Sequence, residues 1–140
     1  MNTGLQPIGL RTIAIAGISW AALVANPMPG FAQSGEISQC AVNAIASDNA
    51  VAQINALGRA KNLARQAAEA ANGGLGGYRA EAAMHGPVSA APCVDNGNGS
   101  WTFTVKGGAP GFTTPTQETV VTVDSNGWTV KVDYNGPVRS

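Results

Sequence analysis

The chain has 140 residues and no net charge, with 44% hydrophobic and only 11% charged residues. That length suits one domain, and the charged share is less than half of the usual ~25%. The basic side chains Arg59, Lys61, Arg65, Arg79, Lys106, Lys131 and Arg139 are scattered, which excludes the basic stripe that nucleic-acid binding needs to neutralise phosphates.

Arg11 is followed by an uncharged apolar run, TIAIAGISWAALVA, over 12–25. As a helix this run rises only about 21 Å, short of a hydrocarbon core of ~30 Å. It matches the apolar region of a secretory signal instead. Asn26-Pro27 stops the helix, and Gly30-Phe31-Ala32 sets small residues two apart just before Gln33, as signal cleavage requires. The expectation is a cleaved signal peptide over 1–32 and one domain over 33–140, secreted or periplasmic, without a membrane span in the mature form. An uncleaved signal anchor is the alternative. Lipidation at Cys40 fits less well, because Gln39 is too large for the residue before a lipidated cysteine.

Two cysteines in an exported chain predict one disulfide, Cys40–Cys93. Its loop closure is worth ~4 kcal/mol by chain entropy. A nucleophilic cysteine is the alternative, and it would need a base such as His85.

Residues 36–71 are predicted helical, with an interruption or fresh cap at Ser47-Asp48. Beyond it Val51, Ile54, Leu57, Ala60, Leu63, Ala64, Ala67 and Ala71 recur every three or four residues as one apolar stripe. Arg59, Lys61, Arg65 and Glu69 fall on other faces and read as solvated. Asn72-Gly73-Gly74 ends the helix. The period then falls to two. Strands are expected at about 78–84, 100–105, 118–124 and 128–134, with loops over 85–99 and 106–117 and a tight hairpin at Ser125-Asn126-Gly127. Trp101, Phe103, Val105, Trp128, Val130, Val132 and Tyr134 would share one face, opposite a face of threonines with Lys131 and Asp133. The predicted class is α+β: an Ala-rich helix packed on a four-stranded antiparallel meander.

The segments GSWTFTV (99–105) and VVTVDSNGWTVKVDY (120–134) resemble PepSY-like and cystatin-like domains in element order; PepSY domains similarly carry an aromatic-bearing strand and a Val-Asp-x-x-Gly hairpin after an Ala-rich helix. The resemblance spans roughly residues 50–134. It implies a small exported module that binds or inhibits proteins such as proteases. It assigns no site residue, and the central Gln-x-Val-x-Gly loop of cystatins is absent.

Catalytic patterns are thin. His85 is the one histidine, too few for a zinc set once the cysteines pair. His85, Ser89 and Asp95 exist, but no Gly-x-Ser-x-Gly elbow does. The GGLGG run (73–77) follows a helix, where the dipole has the wrong sign for phosphate. The segment Asp95–Ser100 lacks the distal glutamate of a calcium loop. Asn98-Gly99-Ser100 is a glycosylation sequon. No cofactor is expected. The leading function is a non-enzymatic protein-binding, inhibitor-like or structural module, whose partner is an exported or envelope protein. The alternatives are a polysaccharide-binding module using Trp101, Trp128 and Tyr134, if their face is open rather than core, and a small hydrolase using His85.

Overall fold

The computed structural model describes residues 36–140. The expectations for Gly30, Ala32 and Gln33 lie outside the described residues.

Helix α1, Gln39–Ala46, starts at Ser38, whose hydroxyl accepts from the Ala41 N–H at 3.4 Å. It stops at Ser47, whose Oγ donates back to the Ala44 carbonyl at 2.7 Å, at the expected interruption. Helix α2, Ala50–Ala71, has 22 residues and so rises about 33 Å. The Gly74 N–H returns to the Glu69 carbonyl at 2.8 Å, with Gly73 and Gly74 at φ +92° and +80°. Glycine accepts that left-handed geometry without a Cβ clash.

Five strands form one antiparallel sheet: β1 Arg79–Ala80, β2 Cys93–Gly97, β3 Ser100–Gly108, β4 Gln117–Asp124 and β5 Thr129–Pro137. The run β3-β4-β5 is the meander read from the sequence. The strand expected over 78–84 is cut to two residues. Its alanines have little preference for extended backbone, and Ala82–Met84 turns into a 3-10 helix, with Met84 and His85 N–H groups bonding Glu81 and Ala82 carbonyls at 3.0 Å. The chain then returns to the same edge of β3 as β2, where Cys93 lies opposite Phe103. One strand position is therefore filled in two pieces, and β2 is the strand that the sequence reading placed in a loop.

Helix α2 lies over β3, β4 and β5, while α1 packs on α2 and β2. Leu57, Ala60, Ala64 and Ala68 are fully buried, as are Phe103, Val105, Val121 and Val123 in one cluster with them. Fully burying a valine or phenylalanine contributes about 1.5–3 kcal/mol. Close approach also occurs at Gly107: a Cβ there would overlap the Arg79 carbonyl and the Tyr78 ring.

The helix is turned relative to its predicted stripe. Val51 is 76% exposed, whereas Lys61 and Glu69 are buried. Segment 85–87 covers Lys61, whose Nζ donates to the Gly86 carbonyl. Burial, followed by the neighbouring Arg65 charge, lowers the Lys61 pKa. Glu69 pairs with Arg65 at 2.8 Å. A long side chain can bury its stem and still satisfy its head group, so these charges sit where polarity alone predicts solvent.

The disulfide joins Cys40 of α1 to Cys93 of β2 across 53 residues. It ties the first helix to the sheet edge next to the interrupted strand. Reduction, or the double substitution Cys40→Ala/Cys93→Ala, is expected to lower stability by about 2–4 kcal/mol. Thermal unfolding with and without reductant measures this, and an unchanged Tm would contradict the bracing role.

Candidate functional site

The three aromatic residues considered as a binding face are not brought together. Trp101 is in the core, 3% exposed. Trp128 sits in the β4–β5 turn at φ +55°, half-buried, with the Arg59 guanidinium 3.9 Å above its ring. Tyr134 is on the other side of the sheet. The β4–β5 register shifts between the pairs Val120–Tyr134 and Val121–Val132, leaving Asp133 as a bulge. A one-residue shift exchanges faces, so Tyr134 joins Val120 on the face away from α2. Val130 and Val132 keep the helix side, but at the sheet edge they stay about two-fifths exposed, at 40% and 42%.

The face away from α2 carries a polar row across four strands. Asn96 Nδ2 donates to Thr102 Oγ1 at 2.9 Å, the Thr102 and Thr122 hydroxyls lie 2.9 Å apart, and Thr122 Oγ1 donates to Asp133 Oδ2 at 2.6 Å. Because the Thr122 proton goes to the carboxylate, Thr102 must donate to Thr122. Every bond then points towards Asp133, an arrangement in which neighbouring bonds polarise one another. Lys131 closes the row on Asp133 Oδ1 at 2.8 Å. The Lys131 hydrogen bond, then the Thr122 one, holds the Asp133 carboxyl below its ordinary value.

Glu118 is buried on that face under Arg139, whose Nε and Nη2 donate to Oε1 at 2.8 and 2.6 Å. The same guanidinium stacks 3.7 Å over Tyr134, whose hydroxyl donates to the Pro137 carbonyl at 2.7 Å. On the helix side, Asn72 Nδ2 reaches Thr119 Oγ1 and Asn135 Oδ1, both at 3.0 Å, and Thr119 Oγ1 donates to Asn135 Oδ1 at 2.7 Å. This clamp fastens the end of α2 to β4 and β5.

Of the residues considered for hydrolysis, His85 is exposed after the 82–84 turn. Asp95 is committed elsewhere: its Oδ1 accepts from the Gly97 N–H at 2.9 Å and its Oδ2 from Asn43 Nδ2 at 3.1 Å. Among the described residues no His, Cys, Asp and Glu group is set to hold a metal ion, and no helix is long and apolar enough to cross a membrane.

Unused hydrogen-bonding capacity converges in a cleft of about 340 Å³ between the α1–α2 corner and the β2–β3 turn, lined by Asn43, Ser47, Gln53, Asp95, Asn98 and Trp101 among others. Asn43 is carried by α1, and Ser47 is the residue that caps its end. Asp95 is positioned by β2, and Asn98 by the two-residue turn Asn98-Gly99 at φ +54° and +75°. The side-chain amides of Gln53 and Asn98 make no hydrogen bond among the described residues, and the Asp95 carboxylate keeps spare lone pairs. This set can bind a polar group by hydrogen bonds. From the sequence, Asn43 and Gln53 fall within the helical span 36–71, Ser47 at its interruption, Asp95 and Asn98 in the loop over 85–99, and Trp101 on a strand, so nothing groups them. The Asn-Gly step, the strongest short hairpin signal, could have located the β2–β3 half of the cleft. Nothing local links it to Gln53.

No protein-family model, curated protein or solved structure matches the chain.

The Glu118–Arg139 pair gives a pH test. Arg139 holds the Glu118 carboxyl below its ordinary value, against burial. A depressed folded pKa contributes stability above the unfolded value, near 4.3 for glutamate, and that contribution is lost as pH falls through the folded pKa. Arg139→Ala is expected to cost about 1–3 kcal/mol at neutral pH, because the buried carboxylate loses its partner, and to flatten the acid limb of the stability profile. Urea unfolding at several pH values checks this. Parallel wild-type and variant profiles would contradict it.

Proposed function

We propose that this chain is an exported, non-catalytic binding module that receives a polar segment of a partner protein in the cleft between the α1–α2 corner and the β2–β3 turn. The observation that carries the reading is that two uncommitted amides, Gln53 and Asn98, line one cleft with the Asp95 carboxylate. Recognition sites are typically concave, with a few placed polar groups that fix orientation. The Cys40–Cys93 bridge braces both walls, since α1 supplies Asn43 and β2 supplies Asp95. A frame fixed before binding lowers the ordering cost of association. The disulfide also favours an oxidising compartment, in accord with the apolar run and small-residue site near the amino terminus. The resemblance to PepSY-like and cystatin-like domains points to the same class of function.

A polysaccharide is the second reading. The amide and carboxylate groups of Gln53, Asn98 and Asp95 also suit sugar hydroxyls, and they line one cleft. The aromatic sheet face is no longer its basis, because Trp101, Trp128 and Tyr134 are apart.

The test is affinity capture from secreted and envelope fractions of the source, comparing wild type with Gln53→Arg. Gln53 is exposed on α2, so this change blocks the cleft without touching the core. The proposal expects a protein retained by wild type and lost with Gln53→Arg. Retention of polysaccharide alone would favour the second reading. Identical captures by both chains would overturn the cleft as the site.

A further inference from the structure

Asn-Gly steps occur five times, at Asn72, Asn96, Asn98, Asn126 and Asn135. At such a step the side-chain amide is vulnerable to attack by the following backbone nitrogen, because glycine has no Cβ to hinder the approach and a wide backbone range. The structure treats the five differently. Asn72 Nδ2 is tied to the Ala68 carbonyl, Thr119 and Asn135, and Asn135 is tied in the same clamp. Asn96 Nδ2 donates to Thr102, and Asn126 Nδ2 to the Asn98 carbonyl. The backbone nitrogens of Gly73, Gly97 and Gly127 are themselves donors, to the Ala70 carbonyl, Asp95 Oδ1 and the Ser125 carbonyl.

Asn98 differs on each count. It is exposed at the tip of the β2–β3 turn, at φ +54°, a left-handed geometry that asparagine tolerates. Neither its side-chain amide nor the Gly99 N–H is hydrogen-bonded among the described residues. The carbonyl of the Asn98–Gly99 peptide accepts from Asn126 Nδ2 at 2.8 Å. That peptide supplies the attacking nitrogen. A donor fixed on its oxygen stabilises the negative charge that develops as the N–H is lost, as donors do in an oxyanion hole.

We propose that Asn98 is a site of spontaneous modification, at which the folded chain converts its own asparagine to aspartate or isoaspartate. The Gly99 nitrogen attacks Asn98 Cγ. The N–Cγ bond forms, the Cγ–Nδ2 bond breaks, and ammonia leaves with the proton from the backbone amide. Water then opens the cyclic imide at one carbonyl to give aspartate, or at the other to give isoaspartate. No co-reactant besides water is needed. Either product sets a second carboxylate beside Asp95 on the cleft rim, and isoaspartate also lengthens the turn backbone by one carbon. The cleft thus becomes more acidic as the molecule ages. This chemistry does not depend on what the cleft binds.

The test uses the full chain from a host that does not glycosylate Asn98-Gly99-Ser100. The chain is incubated at mildly alkaline pH, natively and in urea, and sampled over time by peptide mass mapping with an isoaspartate assay. In the native chain, amide loss at Asn98 is expected to run severalfold ahead of each of the other four steps. Isoaspartate should appear there and be missing from Asn98→Gln. In urea the lead should vanish as the other four are released. A different step leading in the native chain, equal rates at all five, or an intact native Asn98 while the unfolded chain reacts would each overturn the proposal.

Discussion

The close approach of α2 to the sheet is the constraint on which the rest of the structure depends. Ala60, Ala64 and Ala68 are fully buried where the helix crosses the strands. These positions carry only a methyl, which lets the helix backbone approach β3 and β4 closely. The larger groups, Leu57, Phe103, Val105, Val121 and Val123, fill the space between. Lengths match as well: the nine residues of β3 extend about 30 Å, close to the rise of α2. The same closeness leaves no room for a charged head under the helix. Lys61 therefore reaches sideways to the Gly86 carbonyl, and Glu69 pairs with Arg65 on its own helix.

Once α2 is seated, the edges explain the surface. The clamp of Asn72, Thr119 and Asn135 fastens one end of the helix, and Arg59 over Trp128 closes the other side. Strand β5 lies at the margin, so Val130 and Val132 face the helix side yet remain part-exposed. Its bulge at Asp133 and the Lys131–Asp133 pair are features that discourage further pairing along an open edge. At the opposite edge the disulfide holds α1 against β2, and the cleft lies in the angle between them.

Much of the fold was legible because the pattern was strong. The stop at Asn72-Gly73-Gly74, the break at Ser47, the alternation of Trp101, Phe103 and Val105, and the Ser125-Asn126-Gly127 turn each rest on local physics, as does the pairing of two cysteines. The misses have particular causes. Strand β2, CVDNG, has few strand-favouring residues and forms because β3 offers an edge and Cys93 is tethered. The alternation expected over 128–134 holds for Val130 and Val132; Trp128 lies instead in the turn at positive φ, and a single bulged residue moves Tyr134 to the other face. Lys61 was assigned to solvent because polarity suggests it, and only tertiary context shows the loop above it. The candidate cleft was the least legible, since Asn43, Gln53 and Asp95 come from three elements whose meeting depends on the disulfide and on the seating of α2.

The most direct test of this account is to enlarge one of the buried alanines. Ala64→Leu and Ala70→Leu change the same side chain on the same helix, and alanine and leucine differ little in helix preference. Ala64 is fully buried against the sheet, and Ala70 is exposed. Urea unfolding should show Ala64→Leu destabilised by about 1–3 kcal/mol through overpacking, with Ala70→Leu close to wild type. Equal stability of the two variants would contradict the claim that the close seating of α2 on the sheet organises the molecule.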